Sequence, residues 1–277
     1  MTLATAQFFS GTQDGKPAYL DYATGQTNLL PANKQKIRLN DIRNITPQPS
    51  IQINGFQKVD FTPAIQEHDF ISADQASPST QHAIRTYYKE CEDLVSTITG
   101  ASEIIAFHHR YRQQNPHVVD KVKSYTTTPV PDFHIDNDIT TASAHLERVL
   151  GTHEASLWTS RRWAIINVWR PLDTVFQMPL ALLDPASIPI HPSSLAEPVC
   201  TRSNYKSHIR GLRWHPEYRF CYVSEMEASE ALLFVDYDSS RRWRMGGVAH
   251  GAVQEVMRRG DVPLRRSVEV RCLVLYE

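Results

Sequence analysis

The architecture of this chain turns on residues 131–140, Pro131-Asp132-Phe133-His134-Ile135-Asp136-Asn137-Asp138-Ile139-Thr140. His134-x-Asp136 spaces an imidazole and a carboxylate two residues apart. On an extended strand such side chains share a face. His250, in Gly246-Gly247-Val248-Ala249-His250-Gly251-Ala252-Val253, can close the pair into a 2-His-1-carboxylate face. That donor set leaves coordination positions open opposite it and suits non-haem Fe(II). H-x-D alone is a short pattern, so the remainder of the chain has to support it.

The 277 residues suffice for one large domain or two small ones, with a core that needs no staples. With 41% hydrophobic and 21% charged residues, the composition is that of an ordinary globular protein. A net charge of −1 offers no electrostatic footprint for nucleic acid or an anionic membrane. The N-terminus lacks the pattern of a secretory signal, and no stretch approaches the roughly 18 apolar residues of a membrane span. Cys91, Cys200, Cys221 and Cys272 are scattered without a C-x-x-C. They read as free thiols of a cytoplasmic protein.

Residues 1–75 are polar, with short β-like pieces at 16–22 and 51–59, strand-like alternation from Ile37, and many turn residues. They are expected to form an N-terminal extension packed on a core of residues 76–277. Ser77-Pro78 is a helix start, with Ile84, Tyr87, Tyr88, Cys91, Leu94, Val95 and Ile98 on one stripe and Gly100 as the stop. Ile104–Phe107 is a buried strand running into His108-His109-Arg110-Tyr111-Arg112, whose adjacent histidines must face opposite ways. Asp138 caps a short helix through Leu146 that ends at Gly151. Residues 161–168 form a strand, 173–215 read as long loops rich in proline and serine, and 218–223 and 231–237 read as an antiparallel pair. Residues 265–275 form a last, strongly alternating strand. Strands with long connections after residue 100 argue for a mainly β fold with flanking helices, a double-stranded β-helix of the jelly-roll, cupin-like kind.

His250 follows His134 by 116 residues, room for about five strands of roughly 5–6 residues and their loops. The rival pair His215-x-Glu217 lies 35 residues before His250 and has proline between its members, which ranks it lower. His82, His145 and His191 read as surface or loop residues. The last strand adds independent support. Arg265, Ser267, Glu269 and Arg271 share one face; Arg266, Val268, Val270 and Cys272 share the other. A guanidinium with a hydroxyl beside it can hold the distal carboxylate of a dicarboxylate. Charges then balance: Fe²⁺, Asp136, 2-oxoglutarate and one arginine sum to zero. The competing reading pairs Arg265 with Glu269 on an edge strand.

Asn167-Val168-Trp169-Arg170-Pro171-Leu172, Met178–Asp184, Asp236-Tyr237-Asp238-Ser239, Ala249-His250-Gly251-Ala252 and Arg265–Arg271 resemble the fungal hydroxylase/desaturase family of secondary metabolism. The likeness extends to Tyr87-Tyr88, Thr99-Gly100-Ala101 and the His134 segment, covering most of residues 85–275. N-V-W-R-P-L is the most distinctive piece, because strand periodicity does not demand it. The resemblance implies a cupin-like fold and Fe(II)/2-oxoglutarate-dependent oxidation of small metabolites by O₂. It implies His134, Asp136 and His250 as iron ligands, and Arg265 and Ser267 as oxoglutarate-binding residues. Gly251 and Val253 depart from the hydroxyl and aromatic residues usual after the histidine. Arg266 departs from the usual acid.

Asn167 is expected to hydrogen-bond cosubstrate or substrate beside Trp169. Arg170 either anchors an acidic substrate or pairs with Asp184 or Asp238. Arg110 or Arg112 can reach a carboxylate, and Arg271 is the alternative to Arg265. The expected enzyme is an Fe(II)/2-oxoglutarate-dependent dioxygenase that hydroxylates or desaturates a small, carboxylate-bearing secondary metabolite, with or without decarboxylation. Its partner is a small molecule, neither nucleic acid nor membrane, and a homodimer is left open. Two other classes also stay open. A zinc hydrolase or isomerase can use the same triad but has no need of Arg265-x-Ser267. A non-catalytic binding protein has no need of either motif.

Overall fold

A computed structural model of the chain describes residues 2–71, 75–115, 127–189, 196–202, 206–255 and 262–277. Four strands come early: β1 (Thr2–Phe8), β2 (Ala18–Asp21), β3 (Asn33–Asp41) and β4 (Phe56–Asp60). A short helix α1 (Ile51–Asn54) precedes β4, and α2 (Glu67–Ile71) and α3 (Pro78–Thr99) follow it. Then come β5 (Glu103–Gln113), β6 (His134–Ile135), the helix α4 (Ile139–Thr159), β7 (Trp163–Pro171) and β8 (Leu180–Leu183). The chain continues through β9 (Ala196–Arg202), β10 (Lys206–Leu212), β11 (Phe220–Tyr222) and β12 (Glu230–Asp238). It ends with β13 (His250–Ala252), β14 (Gln254–Glu255) and β15 (Arg266–Leu275).

These strands form two sheets. The larger runs β14-β1-β3-β11-β8-β13-β6-β10-β9-β2, and the smaller runs β4-β12-β7-β15-β5. From β5 onward the chain passes back and forth between them. Strands β5, β7, β12 and β15 lie in the smaller sheet, and β6, β8, β11 and β13 in the larger. That alternation is a double-stranded β-helix. Its two inner four-strand groups, β12-β7-β15-β5 and β11-β8-β13-β6, are the walls between which the functional groups stand.

The helices follow their caps. The Ser77 hydroxyl accepts from the Thr80 amide, Pro78 occupies the first turn, and Gly100 closes α3 at φ +65°. Tyr87, Cys91 and Val95 of α3 are fully buried against Ile166, Val168, Val268, Val270 and Cys272, on the outer face of the smaller sheet. Asp138 caps α4 through the Thr141 amide, and Gly151 breaks it at φ 78° before the helical path resumes to Thr159. His145 corrects one expectation. It is 4% exposed on α4, packed on the Phe107 ring at 5.4 Å, because it falls on the helix stripe that faces β5.

Three further expectations are corrected. The segment from 173 to 215 contains β8, β9 and β10, so proline-rich composition here marks strand ends and not continuous loop. Strands β11 and β12 are consecutive but belong to opposite sheets, because the chain crosses over between them. β15 is interior, flanked by β7 and β5, which removes the edge-strand reading of Arg265 and Glu269. The early strands join both sheets: β1 and β3 extend the larger beyond β11, and β4 pairs with β12 in the smaller. His191 lies outside the described residues. No helix among the described residues is long and apolar enough to cross a membrane.

Candidate metal centre

Strand register assembles the centre. β13 runs antiparallel to β6, with His250 directly opposite His134. Opposed residues on neighbouring strands project to the same side, so the two imidazoles meet with ring centroids 4.7 Å apart. Asp136, two residues after His134, turns to the same side. One donor atom from each of His134, Asp136 and His250 lies within 4.8 Å of the others. Each histidine points Nδ1 at a backbone carbonyl, His134 at Asp132 (2.7 Å) and His250 at Val248 (3.2 Å). That leaves both Nε2 atoms toward Asp136: His134 Nε2 is 3.3 Å from Oδ1, and His250 Nε2 is 3.8 Å from Oδ2. A carbonyl on Nδ1 orients the ring for a metal at Nε2.

The opposite wall supplies the neighbours. Along β15, Ser267, Glu269 and Arg271 stand across from Pro171, Trp169 and Asn167 of β7. Arg271 Nη2 reaches Asp136 Oδ2 at 2.7 Å, its Nε lies 3.6 Å from Glu269, and Asn167 Nδ2 donates to the same Asp136 oxygen at 3.2 Å. Phe234 of β12 packs against the His250 ring at 4.7 Å. Asp236 sits where the β12–β7 register skips a residue, between Val235 and Tyr237, and accepts a hydrogen bond from Asn137. Gly247 is required beside that bulge, since a Cβ there would lie 2.1 Å from the Asp236 carbonyl oxygen.

The protonation states follow from burial and charge. Burial raises Asp136, but Arg271 and the two imidazoles outweigh it and hold the carboxyl well below its ordinary value. Burial, helped by His134, pushes His250 down to about 4, so its imidazole is neutral at pH 7 and fit to bind a metal. His134 is raised, its burial overcome by Asp136. Burial and the charge of Asp136 lift Asp236 to about 7 and raise Glu269 as well.

The donor set fits a divalent iron: two imidazole nitrogens and one carboxylate oxygen, converging from adjoining positions on one sheet wall. The residues for a dicarboxylate also fit. Arg265 is 4% exposed, its guanidinium carbon 4.8 Å from the Trp169 ring. Its hydrogen-bond partner is the neutral Met178 carbonyl, and its Nε finds none among the described residues. Burial, with Arg112 nearby, pushes its pKa down to about 9. Beside it the Ser267 hydroxyl is buried and also without a partner among the described residues, as is Asn167 Oδ1. A buried guanidinium without an anion is costly, and an oxoglutarate carboxylate would supply what it lacks.

Thus His134, Asp136, His250, Asn167 and Arg271 come together, and Trp169, Arg265 and Ser267 share the wall of Asn167 and Arg271. Arg110 lies opposite Glu269 and so faces the same interior. Arg170 does not. It pairs in register with Val268 on the outer face, donates to the Ala228 carbonyl at 3.2 Å and lies 5.8 Å from the Tyr87 ring. Neither of its proposed partners is available, because Asp184 binds Arg219 and Asp238 binds Arg162. Of the adjacent histidines, His109 faces outward to the Tyr88 hydroxyl at 2.9 Å, while His108 is opposite Arg271. His215 sits in a turn against Tyr218. Gly251 has a local reason: an added Cβ would come within 2.9 Å of the Phe133 ring. Sequence reasoning missed Asp236, Asn137 and Phe234. The signal for Asp236 was an acid closing the apolar run Ala231–Val235.

A family model described as "Oxidoreductase/YMDC permease-like domain" matches residues 6–275. Oxidoreductase clz16 of Cochliobolus lunatus is 33% identical over 291 residues, covering 100% of this chain and 97% of that protein. Hydroxylase/desaturase efuI of Hormonema carpetanum is 30% identical, covering 99% of this chain and 94% of that protein. Alpha-ketoglutarate-dependent dioxygenase tstK of Talaromyces stipitatus is also 30% identical, covering 98% of this chain and 95% of that protein. Among solved structures, the iron and alpha-ketoglutarate-dependent endoperoxidase NvfI superposes with a TM-score of 0.79 at 23% identity, covering 99% of this chain and 98% of that one.

Proposed function

The chain belongs to the fungal hydroxylase/desaturase family of Fe(II)/2-oxoglutarate-dependent dioxygenases, and from that membership we propose that it hydroxylates or desaturates a small secondary metabolite at the His134–Asp136–His250 centre. Bound iron, oxoglutarate and O₂ supply the oxidation that converts a C–H bond to an alcohol or an alkene, with succinate and CO₂ as coproducts. The chain's own residues bind, orient and exclude water. His134 and His250 offer Nε2, each held by the carbonyl on its Nδ1. Arg271 and Asn167 hold Asp136 Oδ2, which leaves Oδ1 on the His134 side for the metal. Arg265 and Ser267 take the distal carboxylate of oxoglutarate, and Trp169 backs the guanidinium. Phe234 and Phe133 form the apolar backing of His250 and Gly251.

The observation that carries this reading is Arg265: a buried guanidinium whose Nε has no partner among the described residues, beside a hydroxyl equally without one. Anaerobic titration with Fe(II) and then oxoglutarate tests it. A visible metal-to-ligand charge-transfer band should grow in with oxoglutarate; a protein that binds Fe(II) yet never develops the band is not this enzyme. The buried free thiols Cys91, Cys221 and Cys272 support a reducing, cytoplasmic setting.

A further inference from the structure

We infer that Arg110 is a specificity-determining residue, the anchor for a carboxylate on the molecule this enzyme oxidises, so that the enzyme selects acids over their neutral analogues. The inference rests on the oxygenase reading and names its substrate class. The register of β5 against β15 sets Arg110 opposite Glu269, on the interior face that carries Arg271 and is turned to Asp136. Tyr22 faces the same space. Burial raises its phenol, and the charges acting on it are those of Arg112, Asp136, Arg110 and Arg271.

The other charges near Arg110 are committed elsewhere. Glu269, the carboxylate directly across the ladder, leans to Arg271 at 3.6 Å. Asp136 is held by Arg271 and Asn167. Arg110 itself makes neither a hydrogen bond nor an ion pair among the described residues. Its planar fork of donors matches a carboxylate edge to edge.

Space for the rest of such a molecule lies alongside. β5 ends the smaller sheet, with β15 as its neighbour. Along its open edge a cavity of about 440 Å³ is lined by His108 and Arg110, which register turns to the inner face, and by Phe70, Ile71, Gln75, His109 and Tyr111, of which His109 and Tyr111 stand on the outer face. That volume is in the range that holds a small metabolite. Its outer part, Phe70, Ile71 and Tyr111, suits only an apolar tail, and the carboxylate at Arg110 lies on the inner side that is turned to Asp136.

The test uses the full chain loaded with Zn(II) and saturating oxoglutarate, so that the Arg265 position is already filled. 4-Fluorophenylacetate, its neutral amide and 4-fluorobenzylamine are titrated by fluorine NMR. The acid should bind roughly 10- to 100-fold more tightly than the amide, the worth of one charge-assisted contact. Arg110→Gln should erase that preference, Arg110→Lys should keep part of it, and Arg110→Glu should turn it toward the amine. The turn toward the amine is a gain that mere loss of structure cannot produce, and it stands even if Arg110→Gln does not fold. Equal binding of acid and amide by the wild type, or an undiminished acid preference in the Arg110 variants, overturns the inference. Calorimetry of oxoglutarate on the wild type reports separately on the parent reading: absence of oxoglutarate binding sinks the oxygenase assignment, whereas binding without acid preference sinks only the role of Arg110.

Discussion

Arg265 is the residue whose environment most constrains the chemistry. A charge-assisted fork to a carboxylate is roughly twice as strong as a neutral hydrogen bond. Truncating it leaves a carboxylate unpaired, so Arg265→Ala should cost about 2–5 kcal/mol of oxoglutarate binding, roughly 30- to 4000-fold in Kd. Lysine should restore only part, since a point charge does not reproduce the fork. Fe(II) affinity should barely change, because the triad stands on the other sheet. Calorimetric titration decides it: an oxoglutarate Kd within about threefold of wild type, on the scale where 1.4 kcal/mol is tenfold, refutes the role. At the triad, alanine at His134, Asp136 or His250 should abolish turnover while circular dichroism stays native. His215→Ala, at its turn beside Tyr218, should remain active. Near-normal turnover in all three triad variants under limiting iron would show that the metal sits elsewhere.

Between elements, Glu230 is the tie that joins β12 to the chain's first third. It accepts both guanidinium nitrogens of Arg43 at 2.8 and 2.5 Å and the Lys58 ammonium at 2.9 Å. Burial opposes the ionised form, but these partners prevail and hold its pKa down to about 2. A depressed carboxyl stabilises the fold fully above its unfolded value near 4.5 and loses that contribution as pH falls toward 2. Glu230→Gln should therefore destabilise the protein at pH 7 by about 1–3 kcal/mol, toward the low end because the Arg43 side chain is 35% exposed and solvent screens it. Urea denaturation of both proteins from pH 7 to pH 2.5 should show the gap closing through that window. A gap independent of pH would mean that shape and not charge makes the tie.

For the whole molecule, the early strands and the core that carries the His134–Asp136–His250 triad share one packing system. Phe8 of β1 stacks on Phe133 at 5.4 Å, and Phe133 meets Phe220 at 5.0 Å. Phe133 in turn precedes His134 and fills the space that Gly251 leaves. Burying aromatics of this size contributes about 1.5–3 kcal/mol each. A chain beginning at Phe61 should therefore lose cooperative unfolding and become sensitive to limited proteolysis. A protease-resistant 61–277 fragment that still bound oxoglutarate would show the early strands to be dispensable.

Much of the site was readable in one dimension because strands have a period of two. His134-x-Asp136 and Arg265-x-Ser267-x-Glu269-x-Arg271 each had to share a face, wherever their strands lay. The caps Ser77 and Asp138 and the stop Gly100 act within one helical turn and were equally legible. Period says which residues share a face but not what that face meets. The outward turn of Arg170 to Tyr87 and the closing of Arg271 on Asp136 were settled by the β7–β15 register. So were the burial of Arg265 without an anionic partner among the described residues and the placing of β11 and β12 in opposite sheets settled by pairings far apart in the chain. The sequence by itself determined the chemistry of the His134–Asp136–His250 donor set and the strand faces, because those depend on residue type and local geometry. Only the tertiary structure decided which charges neutralise one another and which, like Arg110, are left facing the interior, because that depends on distances set by long-range sheet register.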